Sequence, residues 1–343
     1  MNYKYRFFDD YSEGAHANIL DALNKTNLDQ ETGYGDDSFC IKAAEVLKDK
    51  IKNPNTAVHF VSGGTQANLI ILSSMLKPYE SVIAATTAHI AVHEAGAIEA
   101  TGHKINTVLT DDGKLTVEKV KEVVEFHTDE HMVKPKVVFI SNSTEVGTIY
   151  TKDDLQKLSD FCKENNLYLY LDGARLGSAL MISGSDLALL DVANLVDVFY
   201  IGGTKNGALL GEAIVIVNEK LQENFRYHMK QRGALLAKGR VLGIQFLELF
   251  KDDLFPQLAK HANEMAAKLT RGIKSMGFKF LSDSPTNQIF PILPNKIIPE
   301  LQKDYGFYVW KKIEENSAVR LVTSWATKEE AIDTFLADLK ALA

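Results

Sequence analysis

The chain is poor in cysteine. Its two cysteines, Cys40 and Cys162, stand far apart with no paired spacing, which excludes a disulfide framework and a zinc site built on cysteine pairs and points to a reducing compartment. Apolar runs of the roughly 20 residues that a bilayer demands are missing, and the N-terminal segment Met1 to Arg6 has no signal-peptide core. The expectation is a cytoplasmic protein with no membrane partner. Positive charge is not in excess either: the formal net charge of -7 argues against nucleic acid. Neither a lysine-bearing P-loop nor a G-x-G-x-x-G turn occurs, so nucleotide readings fall away. His89 and His93 lie four apart, but without the H-E-x-x-H order and with nothing to complete a set, so no metal is expected. Internal repeats, low-complexity runs and long linkers are lacking too.

What is present is an alternation of strands and helices. Strand signals at Val58 to Val61, Ser81 to Ala85, Lys104 to Leu109, Lys136 to Ser141, Leu167 to Asp172, Asp197 to Gly202 and Ala213 to Val217 are separated largely by helical stretches, the pattern of a parallel sheet. Past residue 250 the pattern changes. A long amphipathic helix from about Leu254 to Met276 leads to short strands at Phe278 to Leu281, Gln288 to Leu293 and Val319 to Thr323, then to a last helix from Lys328 to Leu342, with Pro285, Pro291, Pro294 and Pro299 marking turns. The expected fold class is α/β: an N-terminal arm and large three-layer, mostly parallel domain over residues 1–250, and a small α+β domain over 251–343.

Three segments carry chemistry. The apolar run Asp197 to Ile201 delivers Gly202-Gly203-Thr204-Lys205. A lysine at the end of a buried strand needs a partner or a route to neutrality, and a Schiff base with a carbonyl is one such route; a solvated loop lysine is the plain alternative. Upstream, Leu167 to Leu171 ends in Asp172-Gly173-Ala174-Arg175, and an acid at a strand's C-terminal end sits where α/β sheets bind ligands. Pyridoxal phosphate works as an electron sink only while its ring nitrogen stays protonated, and a carboxylate beneath that nitrogen, here Asp172, is the usual means. In Val58 to Asn68 a strand turns through Ser62-Gly63-Gly64-Thr65 into a helix, so Gly64 and Thr65 form a cup for phosphate from unsatisfied N–H groups and the helix dipole. Between cup and aspartate, His89 offers a flat ring for stacking on a cofactor.

This order of cup, stacking ring, aspartate and lysine resembles the fold-type I pyridoxal phosphate enzymes. The segments Ser62 to Asn68, His89 to Glu94, Asp172 to Gly177 and Gly202 to Lys205 resemble the threonine aldolase branch of the β-eliminating lyase family. Tyr34-Gly35-Asp36-Asp37 and Val319 to Trp325 extend the likeness nearly end to end. By position, the resemblance implies that Lys205 carries pyridoxal 5′-phosphate as a Schiff base and that Asp172 holds its ring nitrogen. It implies His89 on the ring face and Gly64 with Thr65 on the phosphate. Arg175 would lie near the cofactor's phenolic oxygen and the substrate carboxylate, which Arg320 grips. It also implies a homotetramer, a dimer of dimers with sites between two subunits, to which Tyr34 and the basic residues near Arg232 are plausible contributors.

Departures from the family pattern fall around the substrate. Ser141-Asn142-Ser143-Thr144-Glu145 stands in place of E-N-T-H-N, so Thr144 takes the place of the histidine expected beside the β-hydroxyl. Asp9 stands for a serine that helps bind carboxylate, and Arg232, Lys238 and Arg240 replace a glycine-rich segment. The expected activity is cleavage of a β-hydroxy-α-amino acid, threonine or allo-threonine, to glycine and acetaldehyde. Its general base is left among His89, His93, Glu94 and an ordered water, because a threonine hydroxyl is too weak an acid. An aminotransferase, a β-eliminating lyase releasing pyruvate and ammonia, and a cofactor-binding protein without catalysis are the rival readings.

Overall fold

A computed structural model describes residues 3–343. Met1 and Asn2, part of the N-terminal segment discussed above, lie outside the described residues. The central sheet has seven strands: β1 (Ala57–Val61), β2 (Glu80–Ala85), β3 (Ile105–Val108), β4 (Lys134–Ser141), β5 (Tyr168–Asp172), β6 (Val198–Gly202) and β7 (Glu212–Ile216), in the order β1-β7-β6-β5-β4-β2-β3. The inner strands β4, β5, β6 and β7 are almost wholly buried, which is why they read as continuous apolar runs. One buried cluster, built on Val138, Leu169, Phe199 and Val215, covers one face; another, on Val137, Tyr170, Tyr200 and Ile214, covers the other.

The sheet is mostly parallel, as expected, with one antiparallel strand. Strand β7 runs antiparallel to both β6 and β1, because the connection over 203–211 is shorter than the dozen or so residues that a parallel crossover requires. That short connection matters for function. Gly203 and Thr204 donate through their backbone N–H groups to the Gly211 carbonyl, at 3.0 and 3.1 Å, and Gly211 N–H donates to Thr204 Oγ1 at 2.9 Å. Lys205 is thus held on a pinned turn.

A second sheet is built from Gln288–Ile289, Ile292–Pro294, Tyr308–Ile313 and Asn316–Val322. The helix Leu254–Ser275 and the last helix Glu329–Leu342 pack with it around Leu269, Leu321 and Phe335. The strand expected at Phe278 to Leu281 is reduced to a single bridge between Phe280 and Pro291. The N-terminal arm belongs here as well. Tyr5–Arg6 pairs in parallel with Tyr305–Gly306, and Phe7 is buried among these side chains, so the arm crosses from the small sheet toward the ends of the large one.

Candidate active site

A cavity of about 310 Å³ opens at the C-terminal ends of β4, β5 and β6. Its wall includes the turn Gly63 to Thr65, His89, Glu145, Asp172, Arg175, Lys205 and Glu212. Widely separated segments of sequence therefore converge, as expected at the carboxyl edge of an α/β sheet. Close backbone packing brings them together. A Cβ on Gly173 would lie 1.8 Å from the Tyr200 carbonyl oxygen, so only glycine lets the chain after Asp172 run against β6.

Asp172 ends β5 and is fixed from three directions. Its Oδ1 accepts from Tyr200 Oη at 2.5 Å and from Ala174 N–H at 3.0 Å, and Oδ2 accepts from Asn68 Nδ2 at 3.1 Å. Asn68 is itself held: its Oδ1 accepts from Tyr170 Oη at 2.6 Å, and its Nδ2 also donates to Glu94 Oε1 at 2.7 Å. His89 Nδ1 lies 2.8 Å from the same Glu94 oxygen. A carboxylate there makes Nδ1 the protonated nitrogen and fixes the ring's orientation. One chain of hydrogen bonds thus joins the stacking candidate to the aspartate, and such a network holds its members in place.

Lys205 is half-buried in the cavity wall. Burial and the neighbouring Arg175 charge lower its pKa, against the opposing pull of Asp10, Asp172 and Glu212. A lowered pKa raises the share of neutral amine, the form that attacks a carbonyl. Glu212, the first residue of β7, accepts from Gly203 N–H at 3.0 Å. Burial pushes its carboxyl up to about 8, although Lys205 pulls the other way.

Arg175 is held by an acid that the sequence reading passed over. Its Nε and Nη2 donate to Asp10 Oδ2 and Oδ1 at 2.7 and 3.0 Å, a bidentate pair in which Asp10 is almost wholly buried. Asn287 Nδ2 donates to Asp10 at 2.8 Å. Arg320 lies outside the cavity wall. Its Nη2 donates to the Phe8 carbonyl at 2.8 Å, and its guanidinium sits 5.4 Å from the Tyr308 and Trp310 ring centres. Its Nε is buried without a partner. Burial and the nearby Arg175 charge lower its pKa.

Two expectations are corrected. Thr144 does not reach the cavity: it is fully buried, its hydroxyl lies 2.7 Å from Thr148 Oγ1, and it packs against Gly113. The turn after β4 instead presents Ser143 and Glu145. Asp9 caps a local turn, accepting from Ser12 Oγ at 2.8 Å, while its neighbour Asp10 points inward to Arg175. Arg232, Lys238 and Arg240, expected to act across a subunit interface, do not line this chain's own cavity. Arg240 donates to the backbone carbonyls of Thr26 and Asp29, and Arg232 to Gln231. Tyr34 lines a separate cavity of about 180 Å³ with Arg226 and His59.

The profile of the β-eliminating lyases matches residues 9–295. The chain belongs to the β-eliminating lyase family. It is 35% identical over 341 residues to the low specificity L-threonine aldolase of a Pseudomonas species, covering 98% of this chain and 97% of that one. Among solved structures, threonine aldolase from Leishmania major superposes with a TM-score of 0.98 at 50% identity, over 99% of this chain and 100% of that one. A Thermus thermophilus aspartate aminotransferase variant superposes at 0.74 with 15% identity, over 100% and 92%, which speaks to the fold alone. The architecture is that of the fold-type I pyridoxal phosphate enzymes.

Within this β-eliminating lyase, sequence reasoning missed Asn68, Tyr170, Tyr200, Asp10, Glu145 and Glu212. Asn68 falls one helical turn after Gly64, and Tyr170 and Tyr200 alternate inward on their strands; each could be found only by knowing that the two strands are adjacent. Glu145 and Glu212 had a visible signal, since each is an acid directly after or opening a buried strand region.

Proposed function

We propose that the protein is a pyridoxal 5′-phosphate-dependent aldolase that cleaves L-threonine and L-allo-threonine, and other β-hydroxy-α-amino acids, to glycine and an aldehyde. The observation that carries this reading is the meeting of Lys205 and Asp172 in one cavity with Arg175 in its wall. The cavity fits the cofactor. Asp172 Oδ2 accepts from a single protein donor, Asn68, which leaves a lone pair for a protonated ring nitrogen. The helix Gly64–Met75 begins with no side-chain cap, so its first N–H groups are available to a phosphate.

When bound, the cofactor supplies an electron sink for bonds broken at the substrate's Cα. Asp172 would hold the proton on the ring nitrogen, kept in place by Tyr200, Ala174 and Asn68. Lys205 would carry the cofactor and release it to the substrate amine. His89 would cover the ring face, its plane set by Glu94. Arg175 and Arg320 supply guanidinium groups for the substrate carboxylate. A two-point grip there limits rotation about Cα, so the bond to Cβ can be held in the orientation that favours cleavage. Domains over 1–250 and 251–343, a homotetramer with sites between subunits, and a cytoplasmic location complete the proposal. No helix of the described residues is long and apolar enough to cross a membrane.

The test is direct. Purified protein incubated with L-threonine, L-allo-threonine and their D-isomers is expected to release glycine and acetaldehyde in equal amounts from the L-forms. Release of pyruvate and ammonia, or transfer of the amino group to a keto acid, would overturn the reading.

A further inference from the structure

We propose that Glu145 is the general base of this site, the group that takes the proton from the substrate's β-hydroxyl. The inference rests on the aldolase reading above and supplies the residue which that reading leaves unnamed. Glu145 follows the buried strand β4 and lines the same cavity as Lys205 and Asp172. Two donors from neighbouring residues act on one oxygen: Oε1 accepts from the His89 N–H and from Ser141 Oγ, each at 2.9 Å. That arrangement fixes the carboxyl in the cavity wall, with no donor from another described residue on Oε2.

Other candidates are committed elsewhere, His89 among them, since its Nδ1 is held by Glu94 and its ring is assigned to the cofactor's face. The Thr144 hydroxyl is tied to Thr148. Glu94 lies behind the histidine, bound to Asn68 and to His89 Nδ1. Asp172 accepts three donors, and Asp10 is neutralised by Arg175. His93 is outside the cavity wall, and Glu212 sits on the lysine turn, bonded to Gly203. Glu145 is therefore the acid in the wall with neither a cationic partner nor a place in the Asp172 network.

Its surroundings suit the task. Burial, together with the charge of Asp172, raises its carboxyl above the usual range, partly offset by hydrogen bonds from its own backbone N–H, from Ser141 and from the His89 backbone. A carboxyl moved toward neutral pH is a better proton acceptor than an ordinary glutamate. In the step itself the hydroxyl proton moves to Glu145 Oε2, the oxygen closes a C=O bond to Cβ, and the Cα–Cβ bond breaks with its electron pair left at Cα. That carbon then takes one proton, so glycine and the aldehyde together hold every atom of the substrate.

Two reactions of the purified holoenzyme separate this role from a structural one. Threonine cleavage needs a base at the β-hydroxyl, whereas exchange of the glycine α-proton for deuterium, followed by proton NMR in D2O, does not. Glu145→Gln is expected to lower cleavage roughly 10²–10⁴-fold while glycine exchange, and the glycine Kd read from the cofactor's absorption, stay within about threefold of the parent. Glu145→Asp should recover part of the cleavage. The proposal is overturned if Glu145→Gln cleaves threonine at the parent rate, or if cleavage and exchange fall by the same factor. Should Glu145→Gln not fold, the same split between the two reactions is read in Glu145→Asp, and a uniform change there is equally fatal. A parent enzyme that exchanges glycine but cleaves no β-hydroxy amino acid would sink the aldolase reading itself.

Discussion

Asp10 and Asp9 are adjacent in sequence, yet the structure gives them opposite weights. Asp10 holds Arg175 through two hydrogen bonds and accepts a third from Asn287, so it ties the N-terminal arm to both sheets. Asp10→Ala leaves the Arg175 guanidinium buried without its partner, and breaking a buried pair from one side costs about 3–5 kcal/mol. With an unfolding entropy of roughly 2.1 cal/mol/K per residue, a chain of 343 residues converts that into about 4–7 °C of melting temperature. Asp9→Ala removes only local bonds from Ser12 and the Tyr11 N–H and should move the midpoint by about 1 °C or less. The pH dependence has a definite sign. Burial raises the Asp10 pKa, but the charges of Arg175 and Lys205 and the hydrogen bonds from Arg175 and Asn287 outweigh it, and the folded pKa is lowered. The carboxylate's contribution is therefore fully present above its unfolded pKa and is lost as pH falls through the folded one. Thermal unfolding by circular dichroism at neutral pH, and again below pH 4, tests this: the gap between parent and Asp10→Ala should narrow in acid. An Asp10→Ala midpoint within 1 °C of the parent at neutral pH would refute the reasoning.

The remaining predictions concern the cavity. Asp172→Asn should retain the cofactor while threonine turnover falls by orders of magnitude, because the amide cannot hold a proton on the ring nitrogen; full activity would make the carboxylate structural. Gly173→Ala should yield no folded holoenzyme in expression trials, since its Cβ would strike the Tyr200 carbonyl oxygen. Thr144→Val should cost roughly 1 kcal/mol of stability for the lost hydrogen bond and leave the ratio of threonine to allo-threonine cleavage unchanged, a ratio read by acetaldehyde release from each.

The strands of the large sheet were legible because their buried faces leave continuous apolar runs, and the antiparallel course of β7 follows only from the length of the turn before it. Lys205, Asp172, His89 and the Gly64 turn could be found because each stands at the end of a strand or the start of a helix, where position in the element decides what a side chain can reach. Thr144 and Glu145 differ by one residue, and a turn fixes which of them faces inward through contacts with Gly113 and Thr148 that lie far off in sequence or depend on backbone course. Asp9 and Asp10 pose the same problem in an arm without regular periodicity. Tyr308–Ile313 escaped notice because it is largely exposed and carries two lysines, so its pairing with Asn316–Val322 left little hydrophobic pattern to read.

The central claim is that Lys205 carries the cofactor in the cavity that Asp172 closes. Borohydride reduction of the purified yellow protein, followed by digestion and mass spectrometry, tests it most directly. The predicted result is loss of the visible absorption and a pyridoxyl phosphate mass on the peptide containing Lys205, absent in Lys205→Ala. A label on any other lysine, or a reduced protein with no label, would contradict the claim.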